Sequence, residues 1–535
     1  MKLRLSKLQS KNSIRVSLMQ MPLFVILILI SACGYGQKNN KSSHYRYKPA
    51  LFADKDREQK IESALPVLDK MLTQYAEKNH FPAFVYGLIV DGKLLHTGSY
   101  GYSNLGKQIK ASAKTDFRIA SMTKSFTAMA ILKLRDQGKL KLDDPVYKYI
   151  PEMKDQHYPT KDAAPITIRN LLTHGAGFPE DNPWGDRQLA NSDEQLLQLV
   201  RNGISFSNDP GMTYEYSNLG FTLLGYLIKK VSGESYEKYI TENILTPLGM
   251  THTYWEYSKV PQDEFALGYR WLNEKWIAQP VLHDGAFGAM GGMITTIEDF
   301  SKYVALHLDA WPARDNIETG PIKRSSIREM QFPWNFSDLN INFHSTNGNA
   351  CPYVSAYAYG LGWTKFCDGR VIVGHSGGLP GYGSQWRILP DYGIGIIAFS
   401  NLTYAPAGAF NLQALDTLLK IADLKPRVLP ASEILTKRRD ELVKVLPDWN
   451  IDTGNKLFAM NFLMDYFTDS LRKRSKVLFD RVGKIISISE VVPENQLRGY
   501  FDMIGENGRI RIRFTLTPER EPKIQEFAQS FVNGE

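Results

Sequence analysis

The 535-residue chain has three cysteines and ten histidines. It shows no zinc-type cluster of Cys and His, and no H-E-x-x-H run occurs. A glycine-rich phosphate-binding loop is also missing. The sequence therefore implies no metal and no cofactor. The net charge of +8 shrinks on inspection: Lys2, Arg4, Lys7, Lys11 and Arg15 lie in the first 32 residues with no acid among them, leaving +3 (8 − 5) for the rest. So small an excess, with no basic stripe or RNA-binding motif, argues against nucleic acid as a partner. No long hydrophobic run is present. The apolar stretch Met21 to Ile30 falls short of the about 20 residues that span a bilayer. Internal repeats and low-complexity blocks are absent too, and apolar and aromatic content is ordinary for a globular protein.

What the N-terminus does have is a targeting pattern. Basic residues precede the short apolar run, which ends Ile30-Ser31-Ala32-Cys33. Small residues followed by cysteine resemble a bacterial lipoprotein signal. That resemblance implies a signal over residues 1–32, a lipid on Cys33 and a polar linker over 33–56. It also implies a membrane-anchored protein on the extracytoplasmic side of a bacterial envelope. An ordinary signal peptide with an incidental cysteine is the alternative. In an oxidising compartment Cys351 and Cys367 are candidates for a disulfide, with two free buried thiols as the other reading.

The most informative stretch is Ser121-Met122-Thr123-Lys124. A short strand-like segment, Phe117 to Ala120, precedes it. Apolar residues at helical spacing follow, including Phe126, Met129, Ile131 and Leu132. Ser121 is therefore expected at a helix N-terminus, with Lys124 one turn on and facing the same side. Serine is a weak nucleophile until a base takes its proton, and a lysine desolvated among apolar neighbours can do so. Two further S-x-x-K matches, Ser235 to Lys238 and Ser470 to Lys473, sit in charged helical sequence and read as solvated surface.

Two more elements follow. Tyr216-Ser217-Asn218 comes after the turn signal Asp209-Pro210-Gly211 and before an apolar helix, Phe221 to Val231. A tyrosine hydroxyl can relay protons and an asparagine amide can hold a carbonyl. The same tripeptide at Tyr102-Ser103-Asn104 follows a hairpin predicted around Asp91-Gly92 and reads as structural. His375-Ser376-Gly377-Gly378, after Val371-Ile372-Val373, reads as an edge strand whose glycines admit a ligand to the backbone. The window Gly374 to Gly378 also matches G-x-S-x-G. No helix follows it, and no histidine occurs after His375, so a nucleophile elbow is excluded.

Taken in this order, the three elements resemble serine hydrolases of the class C β-lactamase and D,D-peptidase family. Leu171 to Gly177, the segment Gly291-Gly292-Met293 with Thr295, Thr296 and Asp299, and Tyr359 to Trp363 resemble further segments of it. The resemblance covers about residues 60 to 425 and implies an antiparallel sheet flanked by helices, an α+β fold with a helical subdomain. It implies that Ser121 forms an acyl-enzyme and that Lys124 and Tyr216 share acid–base work. Backbone N–H groups of Ser121 and Gly378 would form the oxyanion hole. Asn218 would hold the substrate, with His375, Ser376 and Gly377 on the opposite wall. His375 departs from the lysine of class C β-lactamases and looks more like D,D-peptidase, D-aminopeptidase or esterase branches. A small-molecule or peptide substrate is implied. His174 reads as a satisfied structural histidine. A non-catalytic anchored binding protein is the competing reading, but it has no need of the base.

Along the chain, residues 57–78 read as an amphipathic helix and 84–103 as a hairpin. Helices are expected from 121 to about 250, and strands around 281–300 and 359–400. A break near Lys425-Pro426 to Pro430 separates residues 57–426 from a small α+β domain over 427–535, loosely cystatin-like or nuclear-transport-factor-like in shape. There, 432–446 and 455–473 read as helices and 484–528 as antiparallel strands. Arg509, Arg511 and Arg513 alternate with Ile510, Ile512 and Phe514 around the turn Glu506-Asn507-Gly508. That row reads as a solvated face or a surface for an acidic envelope partner.

Overall fold

A computed structural model describes residues 47–345, 348–451 and 456–533. Cys33 and the signal and linker residues before 47 lie outside them. No helix among the described residues is long and apolar enough to cross a membrane.

The centre of the fold is a nine-stranded antiparallel sheet. Its two ends in the chain meet in the middle: the strand Ala83–Val90 pairs with Lys93–Asn104 on one side and with Ile394–Ser400 on the other. Every residue of Ala83–Val90 is buried, as expected of a strand covered on both faces. The helix Arg57–Lys78 lays Ile61, Ala64, Leu68, Leu72 and Ala76 on one face of the sheet. Beside it the helix Ala407–Ile421 contributes Phe410, Ala414, Leu415 and Leu418 to the same apolar cluster. The other face carries a larger cluster, built by the helices Thr123–Asp136, Asn218–Ser232 and Ile297–Asp309. The functional residues sit where this helical layer meets the strand Val371–Leu379.

Three sequence expectations are corrected. Residues 281–300 hold the short helix Gly288–Gly291 and the start of the helix Ile297–Asp309, joined by loops, with only Ile294–Thr295 in a strand. Thr296 caps the helix Ile297–Asp309 by accepting the Asp299 N–H at 3.0 Å. The Thr-Ile-Glu-Asp pattern is thus a helix start. The strand Val371–Leu379 lies inside the sheet rather than at its edge, although only its first part has neighbours on both sides: the strand Gly362–Phe366 pairs with it from Val371 to Gly374 and then stops. In the C-terminal region the second helix runs Thr468–Val482, preceded by a four-residue turn of helix at Phe462–Asp465, not over 455–473.

The C-terminal sheet pairs Ile485–Ile488, Arg498–Gly505, Gly508–Leu516 and Ile524–Val532, with Val492–Asn495 on the second of these. Ile510, Ile512, Phe514 and Leu516 are buried, as the period of two requires. Two of the three arginines between them, Arg511 and Arg513, are hydrogen-bonded to acids of the same sheet. Arg511 makes two 2.9 Å bonds to Asp502, and Arg513 meets Glu494 at 2.6 Å. The Lys425–Pro430 break is tied down rather than free: Leu51 and Val428 exchange backbone hydrogen bonds of 3.0 and 2.8 Å. Cys351 and Cys367 are joined by a disulfide.

Candidate active site

Ser121 lies in a 3-10 turn, Ala120–Met122, that runs directly into the helix Thr123–Asp136. Ala120 before it holds a φ of 50°, a left-handed conformation that a non-glycine residue adopts only when its surroundings enforce it. They do. The strand Phe117–Arg118 is clamped to Ile294–Thr295, and the buried Arg118 donates to the carbonyls of Gly292 and Leu282. From the other side Ser384 donates to the Ile119 carbonyl at 2.7 Å. Gly377 lets the sheet come this close, since a Cβ there would sit 2.1 Å from the Ile119 oxygen. The glycine serves the approach of two protein segments, where the sequence suggested the approach of a ligand.

Lys124 is fully buried, with three close polar partners at Nζ. Nζ lies 2.9 Å from Ser121 Oγ, 2.7 Å from Asn218 Oδ1 and 2.9 Å from the Met290 carbonyl; as an amine it donates to the last two and accepts from the serine hydroxyl. Burial pushes its pKa down to about 7, against the opposing pull of Asp186 and Asp181. Tyr216 goes the other way. Burial holds its phenol well above the ordinary value, and contact with Ser121 offsets only part of that rise. Near neutral pH the lysine can be an amine while the tyrosine stays a phenol. Divergent environments of this kind separate acid from base.

Asn218 opens the helix Asn218–Ser232, with Ser217 as its cap. Asp181 reinforces that helix start by accepting the N–H groups of Asn218 at 2.6 Å and Leu219 at 2.9 Å. Asn218 itself is fully buried, with its amide nitrogen on Asn182 and its oxygen on Lys124. Sequence reasoning placed it on the substrate; the structure places it on the base, and the amides that line the cavity are Asn182 and Gln385.

His375 is also buried. Its Nδ1 faces the Ser376 carbonyl and its Nε2 lies 2.8 Å from the Tyr357 hydroxyl. Burial and the nearby Lys124 push its pKa down to about 3, so the ring is neutral. Nδ1–H then donates to Ser376, and Nε2 accepts from Tyr357. Ser376, Gly377 and Gly378 line the cavity beside it. Past Gly374 the strand has a neighbour on one side only, so alternate backbone groups of 375–379 face the cavity unpaired by the ladder. That is the position an oxyanion hole needs beside the Ser121 N–H.

His174 is only half satisfied. Nδ1 accepts the Ser217 N–H at 3.1 Å, while Nε2 has no partner among the described residues. Its ring packs against Tyr216 and Tyr357, 4.2 and 4.3 Å between centroids, which fixes both hydroxyl-bearing rings.

The cavity measures about 900 Å³. Sequence reading missed Asp181, Asp186, Tyr357, Met290 and Tyr404. Asp186 accepts from the Tyr404 hydroxyl at 2.9 Å, and burial raises its pKa.

Known proteins resemble this chain in sequence and in fold. The beta-lactamase family profile matches residues 68–419. Protein flp of Staphylococcus aureus (strain N315) is 32% identical over 347 residues, 63% of this chain and 64% of flp. Beta-lactamase-like protein 2 of Dictyostelium discoideum is 28% identical over 373 residues, 68% of this chain and 63% of that one. The match thus spans less than two thirds of these relatives' length. Among solved structures, the octameric penicillin-binding protein homologue from Pyrococcus abyssi superposes with a TM-score of 0.57 at 23% identity, covering 88% of this chain and 96% of that one. A D-stereospecific amidohydrolase from Streptomyces sp. gives 0.51 at 24% identity, covering 65% and 97%. Both likenesses concern the fold. With its profile match extending over more than half of the sequence, the chain belongs to the beta-lactamase family.

Proposed function

We propose that the chain cleaves an amide or ester through an acyl-enzyme on Ser121. The observation that carries this is the buried Lys124 amine, 2.9 Å from Ser121 Oγ with its pKa lowered to about 7. The neutral amine takes the serine proton as Oγ bonds to the substrate carbonyl carbon. The oxyanion collects the Ser121 and Gly378 N–H groups. On collapse the bond to the leaving group breaks, and that group takes its proton from Lys124 by way of Tyr216. Water then attacks the ester carbonyl with the same groups in reversed roles, and serine is regenerated.

The cavity's charge favours one substrate class. The neutral His375 offers no cation to a β-lactam carboxylate. Glu180, Asp186 and Glu215 line the cavity against a single cationic residue, Arg387, among the described residues. This balance suits a substrate with an amine near the scissile bond, such as a D-amino-acid amide or peptide, over efficient β-lactam hydrolysis. Purified protein assayed on D- and L-amino-acid amides, D-Ala-D-Ala peptides, acyl esters and a chromogenic cephalosporin checks this. Turnover of D-amides above the cephalosporin is expected; the reverse order sinks the substrate reading, and no turnover with no fluorophosphonate labelling sinks the hydrolase.

The Ile-Ser-Ala-Cys pattern supports a lipid anchor at Cys33 on the outer side of a bacterial membrane, and the Cys351–Cys367 bridge suits an oxidising compartment. Cys33→Ser is expected to release the protein from the membrane fraction or block its maturation. Unchanged partitioning with no lipid on the N-terminal peptide overturns the anchor. The 427–535 region is proposed as an accessory domain that binds an envelope partner. None of its residues lines the cavity, and its apolar residues join neither core cluster. A chain ended after Pro430, which keeps the Leu51–Val428 pairing, is expected to fold and to be acylated on Ser121. A folded but unlabelled product would show that the domain helps build the site.

A further inference from the structure

Asp116 starts the segment that leads into Ser121, and it is fully buried. Its backbone is paired: the N–H donates to Glu264 and the carbonyl accepts from Ala266, both at 2.9 Å. Neither carboxylate oxygen has a hydrogen-bond partner among the described residues. A buried carboxyl with no donor is unfavourable as an anion, and either a proton or a cation relieves it. The groups around it deepen the problem. Asp116 is buried, and the Glu264 and Asp299 carboxylates beside it add negative charge. Asp299 is already engaged by the His252 N–H at 2.6 Å, Thr253 Oγ1 at 3.1 Å and Lys302 Nζ at 2.8 Å. Tyr254 is the remaining titratable neighbour and carries no positive charge.

Two side chains, themselves loosely paired, lie beside the orphaned carboxylate. His252 Nδ1 and Glu264 Oε2 are 3.8 Å apart, and one ligand atom from each of Asp116, His252 and Glu264 falls within 4.8 Å of the others. We infer that Asp116, His252 and Glu264 form a binding site for a divalent first-row transition cation of the zinc type, away from the acylation site. One imidazole nitrogen and two carboxylate oxygens suit such an ion, with water completing the shell. Bond lengths of about 2.0–2.2 Å require the three atoms to draw closer together. His252 and Glu264 are roughly half exposed, at 54% and 46%, and can rotate inward, while Asp116 is fixed. A hard cation such as calcium prefers an all-oxygen shell and is the poorer fit. The bound ion would pin residues 252–264, from the start of the strand Thr253–Tyr254 onward, to the strand that positions Ser121. No zinc motif is visible in the sequence because the three ligands lie far apart along the chain.

The test uses the full chain without a histidine tag, stripped by chelator, re-equilibrated with zinc chloride and gel-filtered. Metal analysis is expected to find about one zinc per chain. The melting midpoint should rise by a few degrees over the stripped protein. His252→Ala and Glu264→Gln should each weaken zinc binding at least about tenfold, the usual scale for losing a ligand. Both are surface changes, so both proteins should fold, and Ser121 labelling without zinc should be unchanged. Asp116→Asn should abolish the zinc response and stabilise the stripped protein. A chain that retains no zinc overturns the site. So does zinc held equally well by His252→Ala and Glu264→Gln.

Discussion

The chain carries the pentapeptide Tyr-Ser-Asn-Leu-Gly twice, at 102–106 and at 216–220, and the two copies have nothing structural in common. The first ends the strand Lys93–Asn104 and its turn. Asn104 Oδ1 accepts the Lys107 N–H in an exposed loop. The second is a helix cap, whose serine closes the helix start and whose asparagine is buried against a lysine. The S-x-x-K motif shows the same contrast three times over. Ser235 caps a short surface helix while Lys238 pairs with Glu234 in solvent. Ser470 and Lys473 lie exposed on another helix. Only Lys124 is stripped of water. A motif acquires chemistry from what surrounds it: the same residue types left in water stay hydrated and mobile.

The largest expected effect breaks the comparison at its centre. Ser121→Ala should abolish the mass shift produced by a fluorophosphonate or penicillin probe, whereas Ser235→Ala and Ser470→Ala should label like wild type. Label retained by Ser121→Ala would mean that burial had picked the wrong serine. Next come the partners. Lys124→Ala and Tyr216→Phe should each lower the acylation rate by about 10²–10⁴. The double variant should be little worse than either, because the two act on one proton. Losses that simply multiply would show independent roles.

Asn218→Ala against Asn104→Ala sharpens the contrast between the pentapeptides. The first strips the buried Lys124 of an acceptor and should cost about 1–3 kcal/mol in urea unfolding, together with much of the activity. The second should change stability by about 1 kcal/mol or less, since only one exposed turn bond is lost. Equal losses would mean that burial is not what separates the copies.

What could be read in the sequence follows the same line. Ser121, Lys124 and Tyr216 were legible because strand, turn and helix signals around them are local. The alternating Arg509, Arg511 and Arg513 were legible as a face, but not the pairing of Arg511 and Arg513 with acids. That depends on Arg511 standing opposite Asp502 across a hairpin, a matter of register. Met290, Asp181 and Asp186 were invisible for a related reason, since they reach Lys124 only through tertiary approach. The expected strand over 281–300 failed because a run of Gly, Met, Ile and Thr suits a strand as well as a helix cap, and the Asp299 N–H accepted by Thr296 decided the matter.

Electrostatics gives a finer probe. Lys124 works as an amine, and its folded pKa is lowered to about 7. The reactive fraction therefore grows as pH rises through that value, and acylation should climb with it and level off above. Asp186 carries a charge that raises the lysine pKa. Asp186→Asn removes that pull, so the rising limb should move to lower pH while the plateau changes little. A limb that moves to higher pH, or not at all, would mean that Asp186 is not felt at Lys124. Stopped-flow labelling across pH 5 to 9 reads this directly.

The smallest effect belongs to the other tyrosine. Tyr102 contributes through its backbone: its N–H donates to the Pro82 carbonyl at 2.7 Å, and its carbonyl accepts from Asn401 at 3.2 Å. Both bonds survive in Tyr102→Phe, and no hydrogen bond of the hydroxyl ties it to a catalytic group. Unfolding free energy should stay within about 0.5 kcal/mol of wild type, as for most surface changes. Acylation should be unaltered, beside the large loss in Tyr216→Phe. The two variants differ only in which copy of one pentapeptide loses an oxygen atom, so any shared loss of rate cannot come from local sequence. If Tyr102→Phe slowed acylation as Tyr216→Phe does, the strand Lys93–Asn104 would have to reach the site through the sheet, and the division between a solvated copy and a desolvated one would fail.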